Sequence, residues 1–218
     1  MHRIYTTMQE TKHNARYVRR HLFALALKKF DTVLQGAYGD RKQRLLENLN
    51  GRILEIGPGA GANFRHYDPA VHVIGVEPNR FLHPYLKQEA DRRGLSLELH
   101  GGGAETLNLA DQSVDAAVST LVLCSVESPT AVLSEIMRVL KPGGRFVFLE
   151  HVAASGASRL RWWQEKLHRL WGAVFDGCHP DRETWVPLER AGFQSLRIEG
   201  FSMRIPVVAP HIEGVAIK

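Results

Sequence analysis

The segment Glu55-Ile-Gly57-Pro-Gly59-Ala-Gly61 decides the fold of this 218-residue chain. It follows a β-rich run, Arg52–Ile56, and precedes a short helical run that extends through Tyr67. Glycine is needed in such a segment because the backbone must turn tightly and approach a ligand more closely than a Cβ atom allows. The segment therefore predicts the first strand, turn and helix of a nucleotide-binding α/β domain.

Short β-rich runs alternate with helical runs from this segment to the middle of the chain. Strands separated by helices of about 10–15 residues indicate βαβ units and a parallel sheet. Pro84 suits only the first turn of a helix, so a helix is predicted from near Phe81 to about Arg93. Ser128-Pro129 is typical of a helix start and Lys141–Gly144 of a stop and turn. The predicted strands are Arg52–Ile56, His72–Val76, Ser96–His100, Val114–Ser119 and Arg145–Leu149.

The alternation ends after the fifth strand. An aromatic-rich helix is predicted at residues 158–175, and another helix at residues 183–191. Two further strands are predicted at about 194–199 and 205–217. The pattern as a whole predicts a doubly wound α/β fold.

Charge and cysteine content exclude several classes of protein. The net charge of +5 belongs to residues 1–50, which hold ten Lys/Arg and four Asp/Glu. A uniformly basic surface would have favoured nucleic-acid binding, and this distribution argues against it. The two cysteines, Cys124 and Cys178, make no disulfide framework and no metal quartet, so we expect a reduced protein without a metal. We interpret both as small apolar core residues rather than nucleophiles.

The glycine segment alone leaves the ligand open. Gly57, Gly59 and Ala62 also satisfy the dinucleotide pattern G-x-G-x-x-G/A, and Glu77 lies about 20 residues downstream. A carboxylate at that position can accept hydrogen bonds from two adjacent ribose hydroxyls, whether the ligand is a dinucleotide or another nucleotide. A nicotinamide-dependent oxidoreductase and a non-catalytic binding protein therefore stay open, although no Tyr-x-x-x-Lys pair follows the fourth strand.

Three further segments distinguish these alternatives: Gly103-Ala104-Glu105, Asp111–Asp115 and Arg138–Gly144. With the glycine segment they occur in the order found in class I S-adenosylmethionine-dependent methyltransferases. The sequence resembles that family over roughly residues 45–151, in the subgroup that includes the ubiquinone/menaquinone methyltransferases. The resemblance implies S-adenosylmethionine as the cofactor. It also implies a Rossmann-like, seven-stranded, mostly parallel sheet whose last strand is antiparallel.

The resemblance implies roles for individual residues. The glycine segment would lie along the methionine part of the cofactor, and Glu77 would bind the ribose. Ala104-Glu105 would lie beside the adenine, where many relatives carry an acid at the position of Gly103. The implied cofactor-binding residues are Glu55, Gly57, Gly59, Gly61, Asn63, Glu77, Pro78, Ala104, Glu105, Thr120 and Leu121.

A closer resemblance, to the mammalian alkyl thiol S-methyltransferases of the methyltransferase-like seven family, spans most of residues 45–218. It implies methyl transfer to the thiol of a small or hydrophobic molecule. Methylation of a phospholipid or quinone is the alternative within the same class. The segments that carry this resemblance are Gly61–Phe64, Thr120–Val126, Glu150–Ala154, Phe175–Cys178, Arg182–Trp185, Leu188–Ala191 and Pro210–Ile212.

Residues 51–218 are thus predicted to form the methyltransferase domain, with a helical insert at about 155–192 that covers the substrate. His151 follows the fifth strand and should face the crevice where ligands bind on open α/β sheets. We predict His151, Asp176 and His179 as catalytic candidates, each with a structural alternative. The aromatic residues Trp162, Trp163, Trp171 and Phe175 either wall an apolar pocket or belong to the core.

Residues 1–50 are predicted to form a basic helical lid. The helix either covers the cofactor site, with its basic face in solvent, or touches an anionic membrane. We expect no signal peptide and no membrane anchor of the kind that begins the thiol methyltransferases, because no apolar run approaches about 20 residues. A cytoplasmic location is therefore expected, with peripheral membrane contact as the alternative. The apolar side comprises Val18, Leu22, Leu25, Phe30, Val33 and Leu34, and the basic residues are Arg16, Arg19, Arg20, Lys28 and Lys29.

Overall fold

The computed structural model describes the backbone of residues 2–218 and the side chains of residues 17–30 and 33–218. Seven strands form one sheet in the order β3-β2-β1-β4-β5-β7-β6. Strands β1 to β5 pair in parallel, whereas β7 is antiparallel to both β5 and β6. The predicted fold class is confirmed. The strands are β1 Arg52–Ile56, β2 His72–Val76, β3 Ser96–His100, β4 Val114–Thr120, β5 Leu140–His151, β6 Ser195–Ser202 and β7 Pro210–Ile217.

The helices follow the predicted start signals. The Ser128 hydroxyl accepts a hydrogen bond from the Ala131 amide at 3.2 Å and caps the helix after β4. Ser158 caps the aromatic-rich helix in the same way, through the Arg161 amide. The helices are α1 His2–Leu46, α2 His83–Arg93, α3 Pro129–Val139, α4 Arg159–Val174 and α5 Trp185–Arg190.

Several boundaries differ from the predictions. Strand β7 begins at Pro210 rather than at about 205, and β6 extends to Ser202 rather than to about 199. The helix expected after β1 is reduced to a 3₁₀ turn at Phe64–His66. Helix α2 begins at His83 rather than near Phe81, because the Asn79 side chain accepts the Phe81 amide and holds a turn there. Residues 141–144 do not separate α3 from the next strand but lie within β5.

A register shift between β4 and β5 explains how β5 accommodates residues 141–144. Val114 pairs with Leu140, and Ala116 pairs with Arg145. Gly143 takes a φ of 74°, and its amide donates a hydrogen bond to the Lys218 carbonyl at 3.0 Å. The extra residues therefore form an irregular bulge that glycine permits.

Alternate residues of the central strands fill two apolar clusters. Leu54 and Ile56 of β1 belong to one cluster, with Phe146 and Phe148 of β5. Ile53 belongs to the other, with neighbours from the opposite side of the sheet. This alternation buries both faces of the sheet, as expected of doubly wound folds. The carboxyl ends of β1, β2, β4 and β5 then meet at one edge, where the predicted site residues lie.

Helix α1 packs along this edge of the sheet. Ala24 is buried against Ala60 and Leu82. Near its C-terminus, the Tyr38 hydroxyl lies 2.9 Å from His211 Nε2 on β7. The helix therefore reaches from the segment after β1 to the start of β7. Of the basic residues named for this helix, Arg16 has its side chain outside the described residues.

Candidate functional site

The glycine segment forms a tight turn against two neighbours. Gly57, Gly59 and Gly61 have φ angles of 56°, 61° and 85°, in the left-handed region that favours glycine. A Cβ atom at Gly57 would lie 2.7 Å from Val122 Cγ2, and one at Gly59 would lie 3.0 Å from Leu27 Cδ2. The turn is thus enclosed by the loop after β4 on one side and by α1 on the other, and it tolerates no side chain.

Glu77 lies at the end of β2 with only 5% of its surface exposed. One carboxylate oxygen accepts the Gly59 amide at 3.0 Å and the other accepts the Asn79 amide at 2.8 Å. Burial raises the pKa of Glu77 to about 7, although these two hydrogen bonds by themselves lower it. A carboxylate has about four acceptor sites, so two remain for hydroxyl donors of a ligand.

Glu55 directs its carboxylate into the glycine segment itself. Its oxygens accept hydrogen bonds from Asn63 Nδ2 at 2.8 Å and from the Tyr67 hydroxyl at 2.7 Å. Asn63 Nδ2 also lies 2.5 Å from Thr120 Oγ1, which joins this network to the end of β4. Burial raises the pKa of Glu55 to about 7. The buried Asn63 Oδ1 has no hydrogen-bond partner among the described side chains, which leaves one acceptor for a ligand.

The other predicted cofactor residues take varied positions around this edge. The Pro78 carbonyl accepts a hydrogen bond from Arg20 at 3.2 Å, and Ala104 is buried. The Glu105 carboxylate accepts the Glu127 amide at 2.9 Å, so it closes the loop before α3. Leu121 has a φ of 59°, an uncommon conformation for a non-glycine residue and one that occurs at functional sites.

His151 is buried at the end of β5 beside both cysteines. Its Nε2 lies 3.0 Å from Cys178 Sγ, and the ligand atoms of Cys124, His151 and Cys178 lie within 4.8 Å of one another. We call these three residues the Cys–His cluster. His151 Nδ1 is buried and lacks a hydrogen-bond partner in the part of the chain that the structure describes.

The members of the Cys–His cluster alter one another's acidity. A hydrogen bond from the Cys178 thiol holds the pKa of Cys124 well below its usual range, although burial opposes this. The same hydrogen bond raises the pKa of Cys178. Burial by itself lowers the pKa of His151, but the negative charge on Cys124 outweighs it, so the pKa is raised. Cys124 is therefore the more acidic of the two thiols.

Asp176 and His179, the other two catalytic candidates, have different surroundings. The Asp176 carboxylate lies 3.4 Å from Arg19 Nη2 and 3.7 Å from Arg20 Nε, so it binds α1. The ring of His179 is exposed and stacks on His168. Its backbone amide donates to the Cys124 carbonyl at 2.9 Å. Asp176 thus contacts the helix, and catalytic roles for Asp176 and the His179 ring stay predictions.

Glu150 is a buried residue that supports the candidate site and that the sequence analysis did not single out. One of its oxygens accepts hydrogen bonds from the Ser119 hydroxyl at 2.5 Å, the Val122 amide at 3.1 Å and the Leu123 amide at 3.2 Å. These contacts fix the loop that carries Cys124. Burial raises the pKa of Glu150 from 4.5 to about 7. Its place beside His151 in the segment Glu150–Ala154 was the available signal.

We expect the stability of a Glu150→Gln variant, relative to the wild type, to rise between pH 5 and pH 8. An acid with a higher pKa in the folded chain binds more protons when folded, so its contribution to stability falls between about pH 4.5 and pH 7. Glutamine does not titrate, so the variant does not lose this contribution to stability. Urea unfolding at both pH values measures the difference. Glu189→Gln, at an exposed position on α5, is the control. If the free energy of unfolding of Glu150→Gln differs from that of the wild type by the same amount at both pH values, the prediction is wrong.

The Cys–His cluster also escaped the sequence analysis, which treated the cysteines separately as core residues. Both cysteines are buried, as expected of core residues. Their sequence spacing matches no metal or redox motif, because they lie on loops that only the fold brings together. A signal was nevertheless present, since all three members fall within segments that carry the closer resemblance.

Comparisons with known proteins agree with this geometry. Residues 54–148 match the family described as Methyltransferase domain. Human thiol S-methyltransferase TMT1A is 38% identical over 209 residues, which cover 90% of this chain and 86% of that protein. Human thiol S-methyltransferase TMT1B is 42% identical over 191 residues, covering 82% of this chain and 78% of that protein.

Solved structures agree on the fold. The crystal structure of an S-adenosylmethionine-dependent methyltransferase from Thermotoga maritima superposes with a TM-score of 0.67 and 21% sequence identity. The match covers 93% of this chain and 99% of that chain. At this identity the similarity supports the architecture alone.

Proposed function

The chain belongs to the thiol S-methyltransferase family, and from this premise we propose that it methylates the thiol of a small molecule. It is an S-adenosylmethionine-dependent methyltransferase, as the methyltransferase domain and the full-length relatives agree. The observation that carries the choice of acceptor is 38–42% identity to thiol S-methyltransferases over 82–90% of the chain. That similarity includes the segments after β5, which lie outside the shared methyltransferase domain at 54–148.

The cofactor would lie along the glycine segment once α1 moves aside, because glycines let the backbone approach a ligand closely. Glu77 has two remaining acceptor sites for the ribose hydroxyls. Asn63 Oδ1, a buried acceptor without a partner among the described side chains, suits the cofactor's ammonium group. When bound, S-adenosylmethionine supplies a methyl carbon that is already activated by its sulfonium. Glu55 acts indirectly, by holding Asn63 in place.

The protein's main contribution would be alignment of the acceptor sulfur. Holding two reacting atoms about 3–3.5 Å apart and in line is worth up to roughly 7–11 kcal/mol. A thiol of pKa about 8.5 is already a few per cent thiolate at neutral pH, so a base adds only a modest factor. His151, at the carboxyl end of β5, is on the acceptor side of the site. The helical insert at 155–192 would cover that side.

Helix α1 is proposed as the lid of the cofactor site. Leu27 packs against Gly59, Arg20 binds the Pro78 carbonyl, and the nearby Glu77 is almost fully buried. Asp176 holds the helix through Arg19 and Arg20. Entry of the cofactor would therefore require this part of α1 to move.

The described part of the chain contains no helix that is both long and apolar enough to cross a membrane. Several large apolar side chains are nevertheless exposed on α1 and α4, beside basic residues. We propose that this face touches anionic membranes, which would bring lipophilic acceptors to the site. The exposed residues include Val18, Leu22, Leu25, Phe30 and Val33 of α1, and Trp162, Trp163, Leu170 and Val174 of α4.

Co-sedimentation with liposomes tests the membrane contact. We expect binding to vesicles that contain phosphatidylserine at low salt, and weaker binding to neutral vesicles, because the helix is basic. Changing Leu22 and Phe30 together to serine should abolish the binding. Val174→Ser, on α4 alone, should reduce it less. Equal recovery with anionic and neutral vesicles, or none with either, would eliminate the proposal.

Incubation with methyl-labelled S-adenosylmethionine and a panel of acceptors tests the reaction. We expect label to appear in thioethers from small alkyl thiols and not in the matching alcohols, since a thiol ionises far more readily. Phosphatidylethanolamine, a quinol and an amine complete the panel. Label in phosphatidylethanolamine with none in any thiol would show that the alternative acceptor is correct.

A further inference from the structure

The Cys–His cluster is a group of potential metal ligands for which the proposed reaction has no other use. Cys124, His151 and Cys178 have only 1%, 5% and 7% of their surfaces exposed. Each offers one ligand atom, and these atoms lie within 4.8 Å of one another. Methyl transfer from a sulfonium needs no covalent enzyme intermediate, so two cysteines beside a histidine are unexplained as nucleophiles.

Two loops are held together to form the cluster. The Cys124 carbonyl accepts the His179 amide at 2.9 Å, which joins the two cysteine loops directly. Arg182 donates to the Leu123 carbonyl at 2.7 Å and to the Val126 carbonyl at 2.6 Å. Such hydrogen bonds hold the side chains in place before a ligand binds, as metal and catalytic sites require. The cysteines are therefore held beside each other by contacts independent of the sulfur atoms.

We propose that Cys124, His151 and Cys178 bind one Zn²⁺ ion through their Sγ, Nε2 and Sγ atoms and keep a fourth position for the acceptor thiol. Zinc with three protein ligands and one open position is the arrangement of catalytic zinc sites, and two cysteines with one histidine are a known set. Two thiolates would neutralise the charge of the ion.

The observed distances fit such an ion. Bonds of about 2.3 Å to sulfur and about 2.0–2.1 Å to nitrogen place tetrahedral ligand atoms about 3.6–3.8 Å apart. All three atoms already lie within 4.8 Å of one another. The distance of 3.0 Å from His151 to Cys178 needs to increase by about half an ångström, which a small side-chain rotation provides. A disulfide would instead use only the sulfurs and leave His151 without a role.

The cluster lies beside the cofactor side of the crevice. Val122, on the loop that carries Cys124, packs against Gly57. Asp176, on the loop that carries Cys178, lies 3.4 Å from Arg19 of α1, the helix whose Leu27 packs against Gly59. The open metal position would face this side of the cluster, toward the glycine segment.

The metal would activate the acceptor, and this step rests on the proposed thiol methylation. The acceptor thiol gives its proton to solvent as its sulfur binds the ion. That sulfur forms a bond to the methyl carbon, and the electron pair of the carbon–sulfonium bond goes to the cofactor's sulfur. The products are a thioether and S-adenosylhomocysteine, so no oxidant or reductant is consumed. A thioether is a weaker zinc ligand than a thiolate, which favours its release.

Cobalt substitution of the full chain tests the metal site without relying on activity. Reduced wild-type protein, stripped with a chelator, is titrated with Co²⁺ and then with Zn²⁺. We expect a thiolate-to-cobalt absorption band that saturates at one equivalent and disappears when Zn²⁺ is added. Cys124→Ser and Cys178→Ser should lose the band, and His151→Gln should bind at least about tenfold more weakly. His168→Gln, at a half-buried position on α4 outside the cluster, is the matched control.

Addition of an alkyl thiol without cofactor tests the open position. The thiol should shift the visible cobalt bands, whereas the matching alcohol should not. Removal of Zn²⁺ should slow thiol methylation about tenfold or more, and one equivalent should restore it. Circular dichroism and cofactor affinity, measured for each variant, identify any loss of folding, and the wild-type titration is independent of the variants.

The outcomes separate the two proposals. No stoichiometric uptake of Co²⁺ or Zn²⁺ by the reduced wild type would overturn the metal site. A bound metal without a thiol-induced shift, with stripped protein as active as loaded protein, would overturn the role of the open position. If the cobalt and thiol spectra behave as expected but no thiol is methylated, the metal site stands and the proposed function fails.

Discussion

Replacing Glu77 with alanine is expected to weaken the binding of S-adenosylmethionine by about 1.5–3 kcal/mol, roughly 10- to 150-fold. The side chain is buried at the end of β2, and its free acceptor sites are the group proposed to hold the ribose hydroxyls. The lost interaction is charge-assisted and shielded from solvent, which makes it stronger than an ordinary hydrogen bond. Isothermal titration calorimetry with S-adenosylmethionine and S-adenosylhomocysteine measures the effect.

Glu77 also accepts two backbone amides, so its cofactor role has to be separated from its structural role. Glu77→Gln keeps the size of the side chain and one oxygen, and its affinity should lie between those of wild type and alanine variant. Thermal unfolding without cofactor reports the structural part. Glu189→Ala, at an exposed position on α5, should bind like wild type. Unchanged cofactor affinity in Glu77→Ala would remove this residue from the site.

Replacing Gly214 with alanine is expected to destabilise the protein by about 3 kcal/mol or more. Gly214 lies on β7, between Phe148 of β5 and Ile198 of β6. A Cβ atom there would collide with the Arg197 carbonyl oxygen and lie 2.6 Å from Phe148 Cζ. Because the first obstacle is backbone, β6 would have to move away from β7. Urea unfolding measures the loss, and the melting temperature should fall by about 6–12 °C.

Gly200 provides the matched control on the neighbouring strand. No atom lies within 4 Å of the position that a Cβ at Gly200 would occupy. Gly200→Ala should therefore change the free energy of unfolding by less than about 1 kcal/mol. The change should be stabilising, because alanine lowers the conformational entropy of the unfolded chain. Equal losses for both variants would show that close packing at Gly214 is not the cause.

The alternation of strands and helices was predictable because it depends on signals within a few residues. Ser128 caps its helix as its position predicted, and the left-handed glycines lie where the sequence requires a tight turn. One error occurred where tertiary pairing overrode a local signal. The stop-and-turn segment at 141–144 joined β5 because β4 offered strand partners on both sides of a bulge.

The candidate site was predictable only in part. The position of Glu77 follows from the length of one βα unit, so spacing alone locates it. The partners of Asp176 do not follow in this way: they are Arg19 and Arg20, more than 150 residues away in the chain. A position after the aromatic helix suggested catalysis; the structure adds a contact with α1, and the catalytic role of Asp176 stays a prediction.

The sequence by itself determined the sheet, the glycine segment and, through the resemblance, the cofactor and the class of reaction. These features follow from backbone sterics, hydrophobic periodicity and short motifs, which act over one βαβ unit. Only the tertiary structure decided that Cys124, His151 and Cys178 meet, and that Glu55 serves Asn63 and Tyr67. Such contacts depend on how distant loops pack at one edge of the sheet, and sequence spacing does not record that distance in space.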